Sequence, residues 1–489
     1  MRPIIFIVAL LVMSRDFSAR SGREGRPAPR PATLQETAAR PELPRVYLET
    51  RMMATTGRTV VVGPHDDLQA ALDAARPGDE IVLQAGATYT GPFILPVKRG
   101  QTRTPAAGPV ITIRSSALAS LPAGRRVGPS DTAAMARLVT ARNETHVIGT
   151  APGTAGWRLA GLEITALPNV TVVNRLLRLG DGAVTQNTAA SVPQNIIVDR
   201  SYVHASATLD IRRCIDLQSG SSAVIDSYLA GCHSTNGDAQ ALAGYNGPGP
   251  YAIINNYLEG SGENILFGGS NISVPNQVPS DIEIRRNYFF KPLTWKQGHP
   301  SYAGTPWIVK NLFELKMGRR ILFEGNVLEN SWINGQVGFA ILLKTTGPER
   351  LPTTDVTVRN NIVRGAAGGA NVAGVDGPMN RIAIENNLFL DIGSNFWGAD
   401  NGRLFQAANV SDLTISHNAG FAPNMLLSLD RPNQRLTFTN NLVGHGAYGV
   451  KAGGMAIGVA TLEGTSPGFV FEGNIIVASG HSGTYPPGN

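Results

Sequence analysis

One pattern, apolar–x–apolar–x–x–Asn–apolar, occurs eight times between Ala252 and Ile476. Its asparagines are Asn256, Asn287, Asn326, Asn361, Asn387, Asn418, Asn441 and Asn474. Two earlier copies keep the register with Ser201 and Ser227 in the Asn position. The copies recur about every 30 residues, the period of a solenoid. A unit this short cannot bury its own apolar face, so successive units must stack.

Alternation of apolar and polar residues around each Asn has the period of a strand. The spacings of three and four that a helical repeat requires are absent. The Asn falls where the strand must bend, because Asn tolerates turn conformations and bonds local backbone. In coils stacked at strand spacing, ~4.8 Å, equivalent asparagines lie over one another and form a hydrogen-bonded ladder. The segment 66–75 (DDLQAALDAA) reads as a short amphipathic helix with Asp66 or Asp67 as cap and Pro77-Gly78 as stop. It is followed by the strand Glu80–Leu83, and a helix in this place covers the open edge of the first coil. With this "helix, PGD, strand" opening, the chain resembles the pectin-lyase-like right-handed parallel β-helix superfamily from Gly63 to Ile476. The expected fold is all-β: a single right-handed parallel β-helix with a short N-terminal capping helix.

The start of the chain reads as an export signal, with Arg2 followed by the apolar run Ile4–Met13. Residues 1–19 are assigned to that signal, 20–45 to a disordered linker, 46–478 to the β-helix and 479–489 to a frayed tail. Ten residues are too few to span a bilayer. The expected location is periplasmic or extracellular, and the expected state a monomer. The formal charge of +6 arises mostly in residues 1–60, which hold ten Arg and five acids. The body has no basic stripe, which argues against nucleic acid as a partner. Cys214 and Cys232 are 18 residues apart. Export permits a disulfide, but this separation is less than one coil, so two buried free thiols are expected.

The longest interval, Asn287 to Asn326, contains the excursion from Lys291 to Trp307. Loops on a rigid scaffold often carry function. Trp295 and Tyr302 with Trp307 suit stacking on sugar rings, and Lys296 and His299 add polar contacts; equally, these aromatics could seal the loop. Beyond the loop, Glu314 and Lys316 are two apart on one strand and so leave the same face. Glu263 and Asp238, one and two coils earlier, approach this face, as do Asp216 and, one coil later, Lys344. Carboxylates on adjacent strands repel unless a metal cation or a lysine neutralises them. Asp238, Glu263 and Glu314 are therefore candidate ligands for Ca²⁺, which takes several oxygen ligands. The competing reading is a set of ordinary surface ion pairs.

This arrangement loosely resembles the chondroitinase B and alginate lyase group of β-helical lyases, which use a Lys and an Arg beside Ca²⁺-binding acids. The resemblance implies β-elimination on a uronic-acid polysaccharide, with Lys316 as base beside Glu314; no equivalent Arg is identifiable, and Glu263 is added as a catalytic candidate from its place one coil earlier. Trp295, His299, Tyr302, Trp307 and Lys344 would bind substrate. The W-x-D-H signature of pectate lyases is missing. A glycoside hydrolase using paired carboxylates, Glu263 with Glu314 or Asp238 with Glu263, is the alternative. A non-catalytic glycan-binding or structural surface protein is the third reading.

Overall fold

A computed structural model describes residues 38–104, 108–345, 351–375, 377, 379–398, 402–477 and 484–489. The expected signal at 1–19 and the linker up to residue 37 lie outside the described residues. Residues 36–489 form one compact unit. Its strands make three all-parallel sheets of 14, 13 and 12 strands among the described residues. The chain visits the sheets in a fixed order, so each coil adds one strand to each sheet and the strands stack into a right-handed parallel β-helix. The repeat's alternating residues form the first sheet, as in Met379–Glu385, and the residues after the Asn form the second, as in Leu388–Ile392. The third sheet carries the strands that position the candidate site.

The capping helix spans Leu68–Ala74, with Asp67 as N-cap accepting from the Ala70 N–H. Leu68 and Leu72 are buried over the first coil. A second helix, Val459–Thr465, fills the long last interval before Asn474. None of the described helices is long and apolar enough to cross a membrane.

The asparagine ladder is continuous. Asn361 donates its backbone N–H to Asn387 Oδ1 at 3.0 Å and its Nδ2–H to the same oxygen at 2.8 Å. The other Nδ2 hydrogen goes back one coil, to the carbonyl of Phe323. The same bonds link Asn256, Asn287, Asn326, Asn361, Asn387, Asn418, Asn441 and Asn474 in turn. Ser227 and Ser201 extend the column downward: the Ser227 N–H donates to Asn256 Oδ1 and the Ser201 N–H to the Ser227 hydroxyl. The residue before each ladder position is left-handed, for example Asn360 at φ 59° and Asn386 at φ 53°, which turns the chain into the second sheet. The tail departs from the expected fraying: Asn489 accepts from the Asn474 N–H and Nδ2–H and so ends the column.

A second left-handed column runs through the first sheet. Asp281, Arg320, Asp355, Arg381, Asp412 and Arg435 occupy it in successive coils, with φ between 52° and 58°. Their signs alternate, and each Arg pairs with the Asp one coil earlier at 2.5–2.7 Å. The three carboxylates also accept from the chain's own N-terminal segment. The N–H groups of Ala39, Glu42 and Arg45 donate to Asp412, Asp355 and Asp281. This strap therefore runs along the solenoid against the direction of coil growth.

Cys214 and Cys232 form a disulfide, with Cα atoms 5.7 Å apart, which corrects the expectation of free thiols. Cys214 lies in the third-sheet strand Asp210–Leu217 and Cys232 in the second-sheet strand Tyr228–Cys232 of the next coil. Both side chains point into the solenoid. The bridge crosses the interior between two sheets, so less than a full coil of chain separates the cysteines.

Because both faces of each ladder amide are bonded inside the core, replacing one by an isosteric apolar side chain strands its partners. Asn361→Leu or Asn387→Leu is expected to cost about 1–3 kcal/mol. Urea unfolding of each variant measures this, and an unchanged midpoint would show that the ladder contributes nothing.

Candidate functional site

On the outer face of the third sheet, the bulged strands place polar residues in two stacked columns. One holds Arg175, Arg213, Gln240 and Glu263 in register. Three residues further along each strand, the other holds Arg178, Asp216, Ala243, Leu266 and Glu314. Glu263 and Glu314 therefore lie one coil apart but diagonally, rather than side by side as their spacing suggests.

A polar network links the columns. Asp216 is gripped by Arg175 at 2.6 Å and Arg213 at 3.0 Å, and Gln218 donates to it. Arg213 donates to Gln240 Oε1, and Gln240 donates through Nε2 to Glu263 Oε2 at 2.8 Å. Glu314 Oε2 accepts from Asn311 Nδ2 at 2.8 Å, while its Oε1 faces Lys316 Nζ at 3.0 Å. Asp238 pairs with Lys310 at 2.5 Å. Lys344 takes the Lys316 position one coil on, since Leu343 pairs with Leu315.

The buried member with an unmet need is Glu263. It is inaccessible to solvent, and its Oε1 has no hydrogen-bond partner. Burial pushes its carboxyl well above the usual glutamate range, and Glu314 and Asp238 push it further. Beneath it lies Lys291, also wholly buried. The Lys291 ammonium donates to the carbonyls of Gly260, Ser261 and Gly262 at 2.5, 2.9 and 3.0 Å, clamping the turn that leads into Glu263. Burial pulls Lys291 below the ordinary lysine value, and Glu263 opposes this. For Lys316, burial acts downward, but Glu314, Glu263 and Asp238 outweigh it and hold the ammonium above its ordinary value. Held charged in this way, Lys316 is suited to neutralise an anion.

The loop Lys291–Trp307 is rooted at the corner between the second and third sheets. Its return segment donates from Ile308 N–H to Ser234 O and from Lys310 N–H to Ser261 O, then delivers Asn311 to Glu314. Trp295 and Trp307 are 7 % and 4 % exposed and pack with Trp332 and Trp397. Trp307 also stacks on His233 at 3.8 Å. Their faces are consumed by this seal, which corrects their assignment as sugar platforms. His299 meets the Phe396 edge, and Lys296 sits 4.8 Å over the Phe396 ring. His299 and Tyr302 thus occupy the outer part of the loop, partly exposed, away from the Glu314 root.

The expected Ca²⁺ ligands do not fit that ion. Asp238, Glu263 and Glu314 are taken up by Lys310, Gln240 and Lys316 with Asn311. Among the described residues no group of three or more His, Cys, Asp or Glu side chains could hold a metal. Lysines do the neutralising that Ca²⁺ was expected to do.

No family model and no curated protein matches the sequence. Solved structures do. The catalytic unit of a GH87 α-1,3-glucanase from Streptomyces thermodiastaticus strain HF3-3 matches at a TM-score of 0.57, 14 % identity, 88 % of this chain and 71 % of that one. An alginate lyase from Paenibacillus sp. str. FPU-7 matches at 0.35 and 16 % identity, over 81 % of this chain and 98 % of that one. A mannuronic acid specific polysaccharide family 6 lyase from human gut microbiota matches at 0.45 and 11 % identity, over 87 % and 88 %. The chain has a right-handed parallel β-helix fold, which it shares with the GH87 α-1,3-glucanase unit.

A raised carboxyl has a signature in stability. The folded state holds the Glu263 proton above the pH at which the unfolded chain releases it. Wild-type stability from this group is therefore present at acid pH and lost as pH climbs from the ordinary glutamate value through the raised one. Glu263→Gln keeps an acceptor for Gln240 and cannot ionise. Its melting temperature relative to wild type is expected to improve steadily from pH 5 to pH 9. A difference independent of pH would show that Glu263 titrates normally.

Proposed function

We propose that this protein is an exported enzyme that cleaves an acidic, uronic-acid polysaccharide by β-elimination along the third sheet. One observation carries the reading: Asp216 and Glu314 lie beneath their partner cations, Asp238 beside Lys310 being the exception. Asp216, Glu263 and Glu314 are wholly buried, whereas Arg175, Arg213, Lys310 and Lys316 reach solvent. The face offered to a ligand is cationic, which favours an anionic chain.

In this reading Lys316 and Lys310 neutralise the uronate carboxylate, which acidifies the neighbouring C–H and stabilises the charge that develops when its proton leaves. Glu263, with its free Oε1, is the base. A carboxylate of raised pKa is a stronger base once ionised than an ordinary one. The electron pair left on carbon forms the double bond as the glycosidic C–O bond to the departing sugar breaks. Because Glu263 is buried, its cover has to shift when substrate binds, and the Lys310–Asp238 pair roots the segment that would move.

Glycoside hydrolysis is the second reading, favoured by the same raised Glu263, which would then donate its proton to the leaving oxygen with Glu314 as its partner. The two readings give opposite signs. A Glu263 base makes kcat/KM rise with pH through its raised pKa; a Glu263 acid makes kcat/KM fall through it. Incubation with polyuronates and neutral glucans, monitored by ultraviolet absorbance and by reducing ends, separates them. Unsaturated products and a rising profile are expected. Lys316→Ala is expected to lower kcat by at least 100-fold with unchanged circular dichroism. Saturated products and a falling profile would replace the lyase with the hydrolase, and binding without products would leave a glycan-binding protein.

A further inference from the structure

Three coils before Glu263, the third sheet carries a second cationic cluster that the cleavage chemistry does not use. Arg178 stands in register with Asp216 of the next coil. Its nearest carboxylate is Asp181, at 3.7 Å, too far for a hydrogen bond. Asp181 is tied up in its own turn by the Ala183 N–H and the Thr185 hydroxyl. The Arg178 Nε–H is buried and has no acceptor. Such a donor is costly to leave unmade.

His146 lies beside it. Ile148 pairs with Leu177, so His146 occupies the Arg175 position one coil earlier. Its Nε2 is also buried without a partner. Burial lowers the His146 pKa to about 4, with Arg178 and Arg175 adding to the effect, so the ring is neutral and has one N–H to donate. Arg175 is partly spent on Asp216, which it shares with Arg213. Arg178 also lines a pocket of about 200 Å³ with Thr150, Asp181, Thr185 and Gln186. The cluster thus combines two neighbouring unsatisfied nitrogens with, at Arg178, a cavity and a cation whose nearest carboxylate is beyond hydrogen-bond distance.

We propose that Arg178 and His146 form a distal subsite for an anionic group of a glycan, a uronate carboxylate or a sulfate ester, borne several sugars away from the cleaved bond. This rests on the reading of the third sheet as the glycan-binding face. Four strand spacings separate the Arg178 and Glu314 strands, ~19 Å. An oligosaccharide must span that distance to feel Arg178, and a short one cannot. The subsite therefore makes affinity depend on chain length.

The test compares wild type, Arg178→Gln and Arg178→Lys in calorimetric binding of a galacturonate disaccharide and octasaccharide, with an uncharged dextran octasaccharide as control. Arg178→Gln is expected to weaken the galacturonate octasaccharide on the order of tenfold and to leave the disaccharide unchanged. Arg178→Lys, which keeps the charge and loses the fork, is expected to lie between. Equal binding of the octasaccharide by all three proteins overturns the subsite, as does equal loss for the disaccharide or for dextran. Replacing the galacturonate octasaccharide by a sulfated one distinguishes the two anions. Failure here is separable from failure of the lyase reading. A protein that releases unsaturated products without regard to Arg178 loses only the subsite. One that binds through Arg178 and cleaves nothing loses only the chemistry.

Discussion

A buried amide that must donate to its copy in the next coil, and accept from its copy in the previous one, allows a single register. That requirement, met from Asn256 to Asn474, underlies the rest of the molecule. A slip by one residue would turn every apolar side chain of a strand outward and leave the amides unpaired in the core. Once the bend after the first sheet is fixed in each coil, the third sheet is fixed as well. The polar side chains on its outer face then stack at strand spacing without any loop having to place them. The network from Arg175 to Lys316 is the outcome of that stacking: residues such as Arg175 and Asp216, 41 positions apart in sequence, meet because each occupies an equivalent place in its own coil.

The network also shows how a solenoid can keep several carboxylates on one face without a metal. Asp216 and Glu314 are each matched by cations whose longer side chains reach past them. Lys316 reaches over Glu314, Lys310 pairs with Asp238, and two arginines hold Asp216. Lys291 approaches Glu263 from the core side and bonds only backbone carbonyls. Glu263 is left with strong repulsion from Glu314, one amide partner and a free oxygen. A buried carboxyl with an unmet oxygen and a raised pKa is a candidate for function, and this is why the proposed mechanism is built on it.

The fold was legible because its code is local and repeated: one polar residue at one bend, copied with little variation, and a helix with a clear cap at Asp67. The convergence of Glu263, Glu314, Lys316 and Asp238 was legible from the alternation of their strands. Other parts were hidden for physical reasons. Gln240 and Asn311 bridge the acids, but an amide in a strand or loop carries no signal of its partner. Lys291 does carry a signal: by register it stands where neighbouring coils have Gly260, Asn330 and Gly365, and a lysine there must go somewhere unusual. The Arg175, Arg178 and His146 cluster lies in a part of the chain where the Asn code is absent and register could not be counted. Trp295 and Trp307 have the composition of a sugar platform and of a seal alike; only their neighbours Trp332, Trp397 and His233 decide between them. The Cys214–Cys232 bridge is not legible from spacing, because distance along one coil says little about distance across its interior.

The strap along the first sheet adds a constraint of its own. It bonds Asp412, Asp355 and Asp281, which lie two coils apart, with every third residue from Ala39 to Arg45. Three extended residues span ~10 Å and two strand spacings ~9.6 Å, so the two lattices are commensurate. The alternation of Asp and Arg makes the lattice of the sheet two coils long, not one. A single added or deleted coil in this region would bring an arginine under a backbone N–H and put the strap out of phase. Coils can be gained or lost here without penalty only in pairs, each pair with three residues of strap, so the length of this solenoid is quantised by its own N-terminal segment.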